Sequence, residues 1–282
     1  MSDRETPSRR RIIGLSTATV AGATLLGTTG TAAADSAASA DHGARRKPTV
    51  VLVHGAFADA SSWNPIIPKL QRAGYPVRAV ANPLRGLAHD AAHLASVLAA
   101  VTGPVVLAGH SYGGAVVSEA GATSPSVEAL VYIAAFVPDA GEVLGELAGR
   151  YPGSELQPAL DAIPAPGPDG TPGLDLYIKA DRYHRVFADD VPASTVRVLA
   201  ASQRPLSATA FSDHATTAAW RSVPSWVLVS TQDRGIAPEL QRFQARRVGG
   251  ATVEVRSSHL PMYSRPDAVV SLITAAARSV RA

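Results

Sequence analysis

The chain has no cysteine among its 282 residues. That absence excludes disulfides, thiolate metal sites, an anchoring lipidated thiol and a cysteine nucleophile together. It also lacks a convincing membrane span. The one long uncharged stretch, Ile12 to Ala34, is weakly apolar and rich in Ala, Gly and Thr, a composition that suits a bilayer poorly. The basic excess of the whole chain is local. Residues 1–34 hold four arginines and two carboxylates, and the remainder carries 22 basic and 21 acidic side chains. No basic face of the kind nucleic acid requires is expected, and no stable membrane anchor.

What the N-terminus does contain is Ser8-Arg9-Arg10-Arg11-Ile12-Ile13 ahead of that stretch, which resembles a twin-arginine export signal. Ala32-Ala33-Ala34 supplies small residues for cleavage after Ala34, with Ala38 to Ala40 as a later option. The reading is a signal over 1–34, a flexible polar leader over 35–48 and a secreted domain over 49–282. Export without disulfides suits a route that carries folded cargo.

From Thr49 onward, strand-like runs alternate with amphipathic stretches. Strands are predicted at Thr49 to Val53, Val77 to Ala81, Pro104 to Ala108, Leu130 to Phe136, Trp226 to Ser230 and Thr252 to Val255. Helices are predicted over 61–73, 87–101, 114–120, 238–248 and 266–279. Continuous apolar strands alternating with helices imply an α/β fold, with about six mainly parallel strands covered on both faces. Between about 137 and 218 the rhythm breaks. Pro and Gly cluster from Ile163 to Gly173, and 175–188 and 192–202 read as helical, so a helical lid is expected over the strand ends.

The chemistry enters at Gly109-His110-Ser111-Tyr112-Gly113, set between an apolar strand and a helix-like run. Strand, G-x-S-x-G and helix in that order form a nucleophile elbow, a strained turn that lifts a serine hydroxyl above the sheet. Gly109 and Gly113 let helix and strand pass closely. Serine is a weak nucleophile at neutral pH, so it needs a base, and the base needs an acceptor that fixes its tautomer. His259, in Ser257-Ser258-His259-Leu260-Pro261-Met262, follows the last strand and is the expected base. Asp233, after Trp226 to Ser230, is the expected acid, with Asp139 its rival.

The developing oxyanion needs two preorganised donors. The Tyr112 N–H, after the nucleophile, is one; the Ala56 N–H, after the first strand, is the other, with Phe57 in reserve. Phe57, Tyr112 and Phe136 are candidates to line an apolar pocket, and Trp63 is either pocket or core. His54 and His110 each flank a glycine and read as hydrogen-bonded structural residues. His89 and His93 share a helix face at metal-like spacing without a third ligand nearby, so they read as a solvated face and no metal is expected.

With these residues identified, the chain resembles the α/β-hydrolase superfamily over 49–279. The resemblance lies in Val51 to Phe57, Gly109 to Gly114 and Ser258 to Met262. It is similar to the branch that holds plant methyl esterases and hydroxynitrile lyases, and to exported actinobacterial esterases. The resemblance implies a six-strand core, a helical lid, no cofactor and hydrolysis of a small-molecule carboxylic ester. The lyases of that branch carry a lysine after the histidine and a threonine where this chain has Gly55; here the first position is Leu260. Ester hydrolysis is therefore expected over cyanohydrin cleavage. The alternatives are a cofactor-free lyase or perhydrolase on the same site, and a ligand-binding protein with a slow triad.

Overall fold

The computed structural model describes residues 47–167 and 170–280. The expected signal and nearly all of the leader lie outside the described residues. The chain enters the sheet as β1 (Thr49–Val53), turns through a 3-10 segment at Ala60–Trp63 into α1 (Ile67–Arg72), and returns as β2 (Val77–Val80). One helix over 61–73 is expected there. Pro65 and the residue restriction before it break that helix, leaving two short pieces.

α2 (Leu87–Ala99), β3 (Val105–His110), α3 (Tyr112–Ala122) and β4 (Val127–Ile133) follow. The fourth core strand ends three residues before the predicted limit. Ala134 adopts φ +44° and turns the chain out of the sheet, while Ala134, Ala135 and Phe136 stay buried in the loop. Their apolarity reflects burial and not strand geometry.

Between β4 and the next sheet strand come α4 (Leu144–Gly149), β5 (Leu160–Pro166), β6 (Pro172–Ile178), α5 (Ala180–Phe187), α6 (Ala193–Ala201), β7 (Leu206–Ser207) and α7 (Thr209–Ser212). This insertion is not purely helical. β5, β6 and β7 form an antiparallel three-stranded sheet, and β6 occupies the start of the predicted helical stretch 175–188. Pro164 and Pro166 are tolerated because β5 is the edge strand.

The chain then completes the main sheet with β8 (Ser225–Ser230), α8 (Pro238–Val248), β9 (Ala251–Val255), α9 (Pro261–Ser264) and α10 (Pro266–Ser279). The sheet is six-stranded and parallel in the order β2-β1-β3-β4-β8-β9. β3 is buried along its whole length, as a strand covered on both faces must be. The connections run outward in opposite directions from β1 and β3, so the crevice at their carboxyl ends is the switch point where such sheets bind ligands. Among the described residues no helix is long and apolar enough to cross a membrane.

Polar contacts hold the insertion over that edge. Arg85 Nη1 donates to Asp175 Oδ1 at 2.7 Å, Ser207 N–H to the Leu84 carbonyl at 2.9 Å, and Arg204 Nη1 to the Asn82 carbonyl at 2.9 Å. All three core partners lie in the loop between β2 and α2.

Candidate active site

Ser111 sits between β3 and α3 with φ 54° and ψ −126°, a conformation non-glycine residues rarely adopt. Its surroundings require two close approaches. A Cβ on Gly113 would lie 2.6 Å from the Val53 carbonyl oxygen, and one on Gly55 would lie 2.6 Å from the Ser111 Cβ. The first was foreseeable from the elbow motif. The second was not, because Gly55 belongs to the loop after β1 and meets Ser111 only through the parallel pairing of β1 with β3.

Three loops at one sheet edge bring the sequence candidates together. His259 Nε2 is 2.8 Å from Ser111 Oγ, and His259 Nδ1 is 2.6 Å from Asp233 Oδ2. All three residues are buried. Asp233 Oδ1 accepts the Gly235 and Ile236 N–H groups at 2.7 and 2.9 Å, and Oδ2 also accepts from Gln241 Nε2 at 2.7 Å. A carboxylate so furnished is held rigidly by charge-assisted hydrogen bonds, and Oδ2 orients the imidazole. Asp139 lies elsewhere and pairs with the Arg221 guanidinium.

His259 is fixed on its other sides. His110 Nε2–H donates to the His259 carbonyl at 2.8 Å, and the His110 and Phe187 rings each lie 4.8 Å from the His259 ring. Burial, with the nearby His259 adding to it, holds the His110 imidazole well below its ordinary pKa, so it remains a neutral donor. His54 is similarly built in. Its Nδ1–H donates to the Gly55 carbonyl at 2.8 Å, its Nε2 accepts the Asn82 N–H at 3.0 Å, and burial lowers its pKa to about 4. His89 approaches Asp90 at 3.3 Å from a half-exposed position.

Ala56, Phe57, Tyr112 and Phe136 all line one small cavity with Ser111 and His259. Trp63 does not line it; the indole is fully buried edge-on to His110. Tyr112 is the first residue of α3, where the helix ladder leaves N–H groups free to face a ligand. Its phenol donates to the buried Asp90 Oδ2 at 2.9 Å, and desolvation, then the Asp90 charge, pushes it well above its usual pKa. Phe57 holds φ 58°, and its carbonyl accepts from the Tyr183 phenol of α5 at 3.0 Å, which ties the insertion to the loop bearing Ala56. Sequence reasoning missed Gln241, Phe187 and Tyr183. Tyr183 and Phe187 act across long sequence separations, and the only signal for Gln241 was its place on the buried side of an otherwise charged helix.

An elbow serine, an imidazole and a carboxylate hydrogen-bonded in series at the carboxyl edge of a parallel sheet define a hydrolase-type site. The chain belongs to the alpha/beta hydrolase family, whose model matches residues 50–272. It is 27% identical over 253 residues to an alpha/beta hydrolase, nvfD, of Aspergillus novofumigatus, covering 82% of this chain and 97% of that protein. It is 26% identical over 246 residues to a pyrethroid hydrolase of Sphingobium wenxiniae, covering 79% and 85% respectively. The solved structure of polyneuridine aldehyde esterase superposes with a TM-score of 0.71 at 22% identity, covering 81% of this chain and 98% of that one.

Proposed function

We propose that the protein is a serine esterase that cleaves carboxylic esters of small to medium, mainly apolar substrates through an acyl-enzyme. The observation that carries this reading is the continuous hydrogen-bonded series Ser111, His259, Asp233. Ser111 Oγ attacks the carbonyl carbon while its proton passes to His259 Nε2. The tetrahedral oxyanion is met by the Ala56 and Tyr112 N–H groups. On collapse the carbon–oxygen bond to the alcohol breaks, and the alcohol oxygen takes the proton from His259. Water, deprotonated by the same imidazole, then releases the acid and restores Ser111. Asp233 stays ionised, holds the tautomer and stabilises the imidazolium.

The relatives named as hydrolases support this chemistry, and Leu260, buried where the related lyases carry lysine, disfavours cyanohydrin cleavage. Replacing Ser111 with Ala tests it. Turnover of a chromogenic acyl ester falls by about 10³-fold or more, as for loss of a triad nucleophile. A variant that keeps wild-type turnover overturns the proposal, and one that keeps ligand binding in a wild type without turnover points to a binding protein. Export is part of the same proposal, supported by Arg9-Arg10 ahead of the uncharged stretch. Lysines at both positions then leave the protein in the cytoplasm, and unchanged secretion contradicts the route.

A further inference from the structure

The cavity that holds Ser111 Oγ is too small for the substrate class just proposed. Its volume is about 10 Å³, room for roughly one water molecule. A second, open cavity of about 590 Å³ lies beyond it, beneath the insertion, in the size range of small-molecule sites. Two side chains line both spaces, Leu156 before β5 and Phe211 on α7. Both are partly buried, apolar and packed against the core cluster. These two side chains are the boundary the spaces share, and side chains of this kind change rotamer without backbone movement.

The outer chamber also touches the catalytic loop. Gly235 lines it, and a Cβ on Gly235 would come within 3.0 Å of the His259 ring. Ala56 and Tyr112, the oxyanion wall, border only the inner space. The reacting groups Ser111 and His259 also border only the inner space, so the outer chamber takes whichever half of the ester is too large to remain there. The remaining lining is mostly apolar, with Ala148, Tyr151, Leu160 and Leu176.

From this we infer a two-chamber site: a short half of the ester stays in the inner space at Ser111, and a bulky apolar half fills the outer chamber past a gate of Leu156 and Phe211. The inference rests on the esterase reading and names the substrate class within it.

The test compares acetate esters of a small phenol and of a bulky arylalkyl alcohol, and the ethyl ester of a bulky arylalkyl acid. The variants are Phe211→Ala, Leu156→Ala and Ala148→Phe. Opening the gate raises the kcat/KM ratio of at least one bulky ester over the small acetate by about tenfold, and filling the outer chamber at Ala148 lowers the same ratio by a similar factor. Ratios of both bulky esters unmoved by either kind of variant overturn the assignment. Labelling of Ser111 by a small phosphonate is measured in every variant. Normal labelling with an unmoved ratio sinks the two-chamber inference alone, whereas absence of labelling in the wild type sinks the esterase reading beneath it.

Discussion

Gln241 Nε2 and His259 Nδ1 meet on the same oxygen of Asp233, at 2.7 and 2.6 Å. The glutamine is itself pinned, since its Oε1 accepts the Ser230 N–H at 2.9 Å at the end of β8. The carboxylate that orients the imidazole is therefore held from the helix side as well as by its own loop. Replacing Gln241 with Leu removes one hydrogen bond to a charged acceptor, about 1.5–3 kcal/mol. The expected result is a fall in kcat of about tenfold or more with KM little changed, checked by steady-state kinetics. The rate of phosphonate labelling should fall in step, which a purely structural role would not require.

Gly55 faces Ser111 with no room for a methyl group. Gly55→Ala forces the loop after β1 away from the elbow and is expected to cost about 1–3 kcal/mol of stability. Activity should fall more steeply than stability, because the same loop bears Ala56. Thermal denaturation and ester turnover measured on one preparation separate the two effects.

The Asp213 carboxylate, from the segment after α7, accepts the Leu87 N–H at 2.6 Å and so caps α2 across the fold. Gly86, the residue before the helix, has no side chain to do so. Asp213→Ala is expected to destabilise the protein by about 1 kcal/mol, read from urea denaturation. The loss should be larger than for a typical exposed carboxylate.

Acid should weaken the fold through its buried neutral histidines. His54 takes up a proton near pH 6.5 when unfolded but only near pH 4 when folded. The unfolded state thus binds more protons in that window, and stability is lost as pH falls from about 6.5 to about 4. The His54 share is about 3 kcal/mol once both values are passed. His110 shifts in the same direction and adds to the loss. Urea denaturation at pH 7 and pH 4.5 checks this, and equal stability at the two values contradicts it.

Much of this was legible in the sequence because the main sheet is buried on both faces. β1, β3 and β8 are mostly apolar runs, β1 largely β-branched, and the loops after β3, β8 and β9 each carry one chemically useful side chain. Chain order alone placed Ser111, Asp233 and His259 together as candidates. The insertion was harder to read. Leu174, Leu176 and Ile178 alternate as a strand does, but the proline cluster beside them reads as loop until β5 is seen to be an edge. Gln241 and Phe211 were opaque for a different reason. Their roles depend on which way a helix faces, and that is fixed only by packing.

The most direct test is to treat the protein with one equivalent of an arylphosphonate ester and map the adduct by peptide mass spectrometry while following ester turnover. A single adduct on Ser111, formed in proportion to the activity lost and absent from Ser111→Ala, is the predicted result. Full activity in completely labelled protein, or an adduct on another residue that tracks the loss, contradicts it.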